Sequence, residues 1–205
     1  ADSPPSVPSA DVIRTVGQAA NKYILATMSG ARNGLVVIDQ HAAHERVKYD
    51  AAVAALEQQT VAQQRLLLPA TVQLTPAQAA IIKERIDDLR TMGFAIEEFG
   101  VATFKIDAVP DFIVVSDIAT LLSDVADELL ELGRSIRVEE LRRRMLLTLI
   151  CKGSVTFNQA LTAPEMQALV DNLCTTATPW TCPHGRPTMI VIPFDELEKR
   201  FGRKG

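Results

Sequence analysis

The sequence predicts an α/β fold that contains a compact, inserted α/β subdomain. Gly34–Asp39 is a β-branched apolar run that ends in Asp and continues into an Ala-rich segment, which is typical of a strand leading into a helix. From Leu66 to Gly133 the pattern changes to β-α-β-β-α, and a charged-then-apolar helical stretch begins at Val138. The 205 residues, 47% hydrophobic and 22% charged, suffice for one domain or two small ones.

Two strands are predicted ahead of that first junction. Asp11–Gln18 and Tyr23–Ser29 have strand composition, and the segment 30–34 is expected to be a hairpin turn because Asn-Gly tolerates positive φ. A helix is predicted from His41 to about Gln58. The segment Gln63–Arg65 is expected to be a polar connection.

The inserted block has clear start and stop signals. Thr75 is a suitable N-cap and is followed by Pro at the first helical position, whereas Gly93 ends the helix. We expect, in order, a strand Leu66–Leu74, a helix from Thr75-Pro76 to about Met92, strands Phe94–Glu98 and Thr103–Val109 turned at Gly100, and a helix Ser116–Leu132.

The last third of the chain combines helices with one chemically unusual loop. Thr162 and Glu165 form a capping-box pattern for a helix to about Cys174. The loop that follows is too rich in Pro and Gly to be helical. The other expected elements are a helix Val138–Cys151, a strand Thr188–Pro193 and a short helix Asp195–Phe201.

Composition excludes several classes of function. The net charge of −4 and pI near 5.4 give no global basic field, so tight autonomous nucleic-acid binding is not expected. No apolar run approaches the roughly 20 residues that span a bilayer, and no signal peptide is evident. We therefore expect a cytoplasmic protein without a membrane partner. The Pro/Ser-rich start, beginning at Ala1, suggests a fragment cut inside a linker.

A polar cluster at the strand–helix junction is the first candidate site. His41 and Glu45 are four residues apart, so they lie on one face of the predicted helix, with Asp39 just before its first turn. Imidazole and carboxylate groups so placed can form half of a metal site. The alternatives are an N-cap role for Asp39 and an ion pair with a neighbouring Arg or Lys for Glu45.

Cys182 and His184 can supply the other half. In an extended loop they point the same way, and Pro183 between them stiffens the pair. Taken alone, Cys-x-His is a weak signal that favours a structural role over a metal site. Three distant cysteines do not form a disulfide framework, so Cys151 at the end of an apolar helix is a core thiol or a ligand, and Cys174 is expected to be a small core residue.

Two protease interpretations fit poorly. The order His-Ala-Ala-His-Glu is neither His-Glu-x-x-His nor His-x-x-Glu-His, so zinc proteases of those types are not indicated. A Cys/His dyad is disfavoured because Pro183 adjoins Cys182 and no helix N-terminus lowers the pKa of the thiol.

The motifs together resemble a known family. Asp39-Gln-His-Ala-Ala-His-Glu45-Arg, Cys151-Lys-Gly-Ser-Val, Cys182-Pro-His-Gly-Arg-Pro187 and Phe201-Gly-Arg203 resemble, in order and spacing, the endonuclease motifs of the C-terminal domain of bacterial MutL-type DNA mismatch repair proteins. The resemblance implies a dimerisation and endonuclease subdomain built from both chain ends around an inserted regulatory subdomain. We therefore expect a linker end over 1–10, the first subdomain over 11–62 and 135–205, and the insert over 63–134.

The resemblance also implies a latent, metal-dependent nickase that hydrolyses a phosphodiester bond in one strand of duplex DNA. It assigns catalysis to Asp39 and Glu45. Thiolate and imidazole ligands favour a regulatory or structural Zn²⁺, whereas carboxylate oxygens favour a catalytic Mn²⁺ or Mg²⁺. The implied metal ligands are Asp39, His41, Glu45, Cys151, Cys182 and His184.

One position departs from the family motif, which has Glu where this chain has Asp50. Asp50 lies five residues after Glu45, about 140° around a helix, and so should not share its face. We expect a salt bridge between Arg46 and Asp50 instead. His44 is expected to support the site from behind or to be exposed.

Gln64, Leu67 and Pro69 fit a Gln-x-x-Leu-x-Pro pattern, by which the bacterial family is expected to dock on the replication sliding clamp. The alternative is the start of a buried strand. Other implied partners are a second copy of the chain, duplex DNA bound weakly, and a mismatch recognition protein contacted through the full-length protein, near the nucleoid. The rival function is a non-catalytic dimerisation and clamp-binding module with a structural zinc site.

Overall fold

The computed structural model describes residues 12–113, 117–132, 138–152 and 159–203, which form two compact units. The described residues up to Asp50 and from Gln159 onward form the first unit, and those from Ala51 to Lys152 form the second. These divisions differ from the expected ones at 62/63 and 134/135. Helices and sheets occur in both units, which confirms the α/β class.

The first unit is built on a four-stranded antiparallel sheet with the order β1-β2-β3-β7. Strands β1, β2 and β3 are consecutive in the chain. Strand β7 comes from the last part of the chain and pairs with β3, where Ile38 lies opposite Met189. Its elements are β1 (Val12–Ala19), β2 (Tyr23–Ser29), β3 (Gly34–Asp39), the start of α1 (Gln40–Glu57), α6 (Ala163–Thr175), β7 (Met189–Pro193) and α7 (Phe194–Arg200).

Alternation along the strands gives this sheet one buried face and one open face. The buried face packs against α6 and the first turns of α1, with Ile24, Val36 and Leu173 fully buried. Leu35 and Ile190 lie on the opposite, open face, where side chains are half-buried or exposed. The residues on the open face include Tyr23, Leu25, Thr27, Leu35, Val37, Asp39, Ile190 and Ile192.

The second unit packs helices against a three-stranded antiparallel sheet with the order β4-β6-β5. Phe104 and Ile106 of its central strand are fully buried beneath the helices. Its elements are the end of α1, β4 (Gln63–Gln73), α2 (Pro76–Glu84), α3 (Ile86–Thr91), β5 (Ala95–Glu98), β6 (Thr103–Pro110), α4 (Ile118–Leu132) and α5 (Val138–Lys152). No helix in the described ranges combines the length and apolarity needed to cross a bilayer.

Two predicted elements of the second unit need correction. Gln63–Arg65 is not a polar connection, because these residues already pair with β6 as the start of β4. The predicted helix 75–92 is two helices, since the backbone at Arg85 leaves helical geometry at φ −112° and ψ 14°. A propensity pattern does not reveal such a break, because neither Gly nor Pro, the strongest helix breakers, occurs between Ala77 and Thr91.

The hairpin between β2 and β3 is confirmed, but for a different reason than positive φ at Asn-Gly. The left-handed residue is Gly30, and the Asn33 side chain accepts a hydrogen bond of 3.2 Å from the Gly30 N–H. Gly34 is required by β7 instead, because a Cβ there would lie 2.6 Å from the Ile192 carbonyl oxygen.

Both predicted helix caps are confirmed. Thr75 and Gln78 form a reciprocal capping box at α2, with Pro at the first helical position. At α6, the Thr162 backbone N–H and hydroxyl each donate to the Glu165 carboxylate at 2.7 Å. Local chemistry therefore fixes where both helices begin.

Candidate metal centre

Asp39 sits at the point where β3 becomes α1. Its backbone N–H donates to the Thr188 carbonyl at 2.9 Å, which continues the β3–β7 pairing to the strand end. Its Oδ1 accepts a 3.0 Å hydrogen bond from the Ala42 N–H, so Asp39 is the N-cap of α1. The N-cap role, which is the alternative to metal binding for Asp39, is therefore present, and it uses one of the two carboxylate oxygens.

The predicted pair on one face of α1 is present. Nε2 of His41 lies 3.1 Å from Oε1 of Glu45, one helical turn away. The Glu45 side chain is 7% exposed, whereas the His41 side chain is 25% exposed. A nearly buried carboxylate is therefore held beside an imidazole that still reaches solvent.

A tight loop presents Cys182 and His184. The Cys182 N–H donates to the Arg186 carbonyl at 2.8 Å, and the Gly185 N–H donates back to the Cys182 carbonyl at 2.9 Å. Gly185 adopts φ +81°, a conformation that other residues rarely take. The turn places the Cys182 Sγ 3.9 Å from the His184 Nδ1.

The loop and the helix meet at Glu45. Oε2 of Glu45 lies 3.4 Å from Nδ1 of His184, and one ligand atom each of Glu45, Cys182 and His184 lie within 4.8 Å of one another. Ligand atoms around a tetrahedral Zn²⁺ stand about 3.3–3.8 Å apart for ordinary bond lengths. One sulfur, one nitrogen and one oxygen donor at this spacing fit zinc, and His41, which contacts Glu45, is not one of the three mutually close residues.

Asp39 and Cys151 are the remaining predicted ligands. Asp39 is not among the three mutually close ligands, and it borders a pocket of about 110 Å³. Cys151 lies in the last turn of α5, and its side chain is outside the described part of the chain. The pocket beside Asp39 is lined by Tyr23, Val37, Asp39, Pro187, Thr188, Met189 and Ile190.

The expected Arg46–Asp50 salt bridge is confirmed, with Nη1 of Arg46 2.8 Å from Oδ1 of Asp50. The pair makes two further contacts, both with the segment that precedes Cys182. Nε of Arg46 donates to the Thr181 carbonyl at 2.7 Å, and Oδ2 of Asp50 accepts from the Ala177 N–H at 3.0 Å. The spacing of Arg46 and Asp50 predicts their pairing within the helix but carries no signal for a partner more than a hundred residues away.

His44 supports the helix rather than joining the mutually close group. Its Nδ1 lies 3.0 Å from the Gln40 carbonyl oxygen. Burial lowers the pKa of His44, and the nearby Lys48 lowers it further. The imidazole is therefore held neutral more readily than a free histidine.

The Gln64–Pro69 segment lies within β4, where its pairing with β6 is interrupted between Arg65 and Ala70. Leu66 packs partly into the core of the second unit, whereas Leu67 and Leu68 are 103% and 82% exposed. The segment is part of a strand, but Leu67 and Leu68 project into solvent, so it is not a buried strand at these positions. Leu67 and Leu68 are therefore accessible to a partner at this interruption of the sheet.

Comparison with known proteins identifies the family. A profile of the family described as MutL C terminal dimerisation domain matches residues 16–161. Curated relatives named DNA mismatch repair protein MutL include those of Phenylobacterium zucineum, 38% identical over 91% of this chain and 30% of the relative, Symbiobacterium thermophilum, 40% over 93% and 30%, and Koribacter versatilis, 36% over 97% and 31%.

The chain thus spans about 30% of the length of the curated relatives it matches. The profile match covers well over half of the 205 residues and includes the Asp39–Glu45 segment of the candidate centre. Several relatives share more than a third of their aligned residues with it. The chain belongs to the MutL C terminal dimerisation domain family.

Proposed function

We propose that this chain is the C-terminal region of a bacterial DNA mismatch repair protein and acts there as a metal-dependent endonuclease that nicks one strand of duplex DNA. The observation that carries the proposal is the convergence of His41 and Glu45 from α1 with Cys182 and His184 from a distant loop. Four side chains of these types, gathered from segments far apart in sequence, are typical of a metal site.

The residues divide by the hardness of their donor atoms. Cys182, His184 and Glu45 would hold Zn²⁺, because thiolate and imidazole prefer it. Asp39 and Glu45 offer the carboxylate oxygens that Mn²⁺ or Mg²⁺ prefers, with His41 beside them. When bound, such ions activate water and stabilise the charge that develops on a phosphodiester. Partial exposure of His41 and His184 leaves the centre open to a substrate.

The same unit would form a homodimer through the open face of its sheet. The apolar side chains of Leu25, Leu35, Val37, Ile190 and Ile192 form adjacent cross-strand pairs and are not fully buried. Cross-strand apolar rows of this kind bury well against an identical row related by a two-fold axis. The family description as a dimerisation domain supports a second copy as the occupant.

Docking on a sliding clamp would overcome the chain's unfavourable charge. The net charge of −4 repels DNA, so the chain needs a carrier to reach its substrate. Gln64 is exposed and Leu67 fully so, and a short apolar protrusion suits a pocket on a partner protein. A clamp that encircles DNA would raise the local concentration of this chain at DNA, which its own negative charge does not do.

Nicking of supercoiled plasmid tests the proposal. With Mn²⁺, the full-length protein and its clamp should convert supercoiled plasmid to open circles. Asp39→Asn should abolish this conversion while leaving the dimer mass unchanged, because it removes a charge without changing shape. Asp171→Asn, an isosteric change on α6 of the same unit, is the matched control and should nick normally.

Unchanged nicking by Asp39→Asn would contradict the catalytic assignment. The rival function is a non-catalytic dimerisation and clamp-binding module with a structural zinc site, and the family description supports its dimerisation part. It predicts a zinc-loaded dimer that binds the clamp yet never nicks plasmid under any metal, even with all partners present.

A further inference from the structure

A hydrogen bond joins α1 to the loop beside the candidate centre. On α1, Glu45 is followed directly by Arg46, and in the loop Cys182 is preceded directly by Thr181. Nε of Arg46 donates to the Thr181 carbonyl at 2.7 Å. The contact that joins helix to loop is therefore one residue away from two of the mutually close donors.

A second contact lies one helical turn along α1. Nη1 of Arg46 is 2.8 Å from Oδ1 of Asp50, and Oδ2 of Asp50 accepts a 3.0 Å hydrogen bond from the Ala177 N–H. Asp50 therefore uses both carboxylate oxygens. The loop is attached to α1 at two positions, Ala177 and Thr181, before it reaches Cys182.

Because Arg46 is buried, losing one of its hydrogen-bond partners would be energetically costly. Arg46 is only 8% exposed, and its guanidinium lies 5.6 Å from the centre of the Tyr49 ring. A buried guanidinium is stable only when its donors are satisfied, so Arg46, Asp50 and the loop carbonyl hold one another in place. Lysine could not replace it, because a single ammonium group lacks the planar fork that reaches both acceptors.

We propose that Arg46 and Asp50 form a clip that positions the loop carrying Cys182 and His184 before any metal binds. In this role both residues are positioning residues, since neither is offered as a ligand. The clip restricts the loop in advance, so less conformational freedom remains to be lost when the donors close around an ion. The effect on zinc affinity rests on the proposed function, whereas the effect on the loop does not.

Cysteine alkylation of the metal-free protein tests the clip directly. Cys182 is 1% exposed, so iodoacetamide reaches its thiol only when the loop opens. Arg46→Ala should raise the Cys182 labelling rate, followed by peptide mass spectrometry, at least about tenfold, the scale expected when a hydrogen bond to a charged group is lost. Cys174 on α6 is the internal control, and its rate should not change.

Two further variants keep the test decisive. Asp50→Asn retains shape and removes the charge, so it should accelerate Cys182 labelling even if Arg46→Ala fails to fold. Arg200→Ala breaks another i, i+4 pair of the same unit, with Glu196, and should leave the labelling of Cys182 unchanged. Unchanged Cys182 labelling in folded Arg46→Ala and Asp50→Asn, or equal acceleration at Cys174 and Cys182, would overturn the clip.

Zinc titration separates the clip from the metal site. Arg46→Ala should weaken zinc affinity about 10- to 100-fold with unchanged stoichiometry, whereas Cys182→Ser should lose bound zinc altogether. Zinc affinity in Arg46→Ala within about twofold of the unaltered chain would contradict the positioning role. If the unaltered chain binds no zinc, the proposed metal function fails, and the alkylation rates still decide whether the clip exists.

Discussion

The two compact units expose apolar side chains in different ways. The first unit buries one face of its sheet under α6 and leaves the other face as an extended apolar surface. The second unit exposes large apolar side chains mainly at local departures from its sheet, such as Leu67 in β4 and Val101 at a hairpin tip. An extended flat surface suits a second copy, whereas a short protrusion suits a pocket on a different partner.

The units also differ in how their candidate sites are assembled. In the first, donors converge from α1 and from a loop more than a hundred residues later. In the second, six consecutive residues of β4 carry the whole recognition pattern. Substitutions at the donors of the first unit should therefore change metal binding, and substitutions on its open sheet face should change dimerisation. Substitutions of exposed leucines in β4 should change only partner binding.

The largest expected effect is loss of the metal from the first unit. Cys182→Ser combined with His184→Ala removes the soft donor and one imidazole, so bound zinc measured by plasma emission should fall to background. Cys174→Ser is the matched control and should retain the metal, because Cys174 lies outside the cluster. Full zinc retention in the double variant would exclude Cys182 and His184 as ligands.

The second-largest expected effect is on the stability of the dimer. Leu35→Arg places a charge on the open face of the sheet and should raise the dimer dissociation constant at least about 30-fold, the effect of a central interface residue worth about 2 kcal/mol. Sedimentation velocity measures the change. Val101→Arg adds the same charge at a site 94% exposed in the second unit and should leave the dimer intact. Equal weakening by both variants would remove the open face as the interface.

Clamp binding should change only with the second unit. Leu67→Ala should weaken binding at least about tenfold by calorimetry, because an apolar anchor is lost from the motif. Leu68→Ala removes a similarly exposed leucine at a position the pattern leaves open, and its affinity should stay near that of the unaltered chain. If the two variants weaken binding equally, the Gln-x-x-Leu-x-Pro pattern is not what the clamp recognises.

The smallest effects concern the two capping boxes, one in each unit. Thr162→Ala and Thr75→Ala should each lower the free energy of unfolding by about 1 kcal/mol in urea titrations. The pKa of Glu165 is lowered because the Thr162 backbone N–H and hydroxyl donate to its carboxylate. Ionised Glu165 therefore stabilises the fold above its unfolded pKa, and this stability is lost as pH falls through the lower folded value.

The box in the second unit lacks a titrating partner, because Gln78 occupies the corresponding position. Glu165→Gln should therefore reduce the decline in stability below roughly pH 4.3, while a Thr75→Ala variant should keep the same decline as the unaltered chain. An unaltered acid profile in Glu165→Gln would mean that the Thr162 contacts do not favour the ionised carboxylate.

Sequence patterns predict most of the local structure. Strand boundaries such as Tyr23–Ser29, both caps and the Arg46–Asp50 pair depend on residues close in the chain, and all of them are confirmed. The pairing of His41 with Glu45 is predicted for the same reason, since helical geometry fixes side chains four residues apart.

Long-range contacts could not be predicted in this way. The attachment of Thr181 to Arg46 depends on how the loop crosses α1, which no local spacing encodes. The break at Arg85 and the early start of β4 likewise depend on the packing of the second unit, which overrides local propensity. Residue types and spacing suggest that Cys182 and His184 complete the half-site of His41 and Glu45, and the family resemblance implies the same ligands, but neither predicts the close approach of Glu45 to His184.

Anomalous scattering from crystals of the zinc-loaded protein soaked in Mn²⁺ tests the central claim most directly. Data at the zinc edge should show a peak about 2.0–2.3 Å from Sγ of Cys182 and from donor atoms of His184 and Glu45. Data that distinguish manganese should place a second peak beside the carboxylates of Asp39 and Glu45. Absence of any anomalous peak at these side chains, with metal bound elsewhere, would contradict the metal centre.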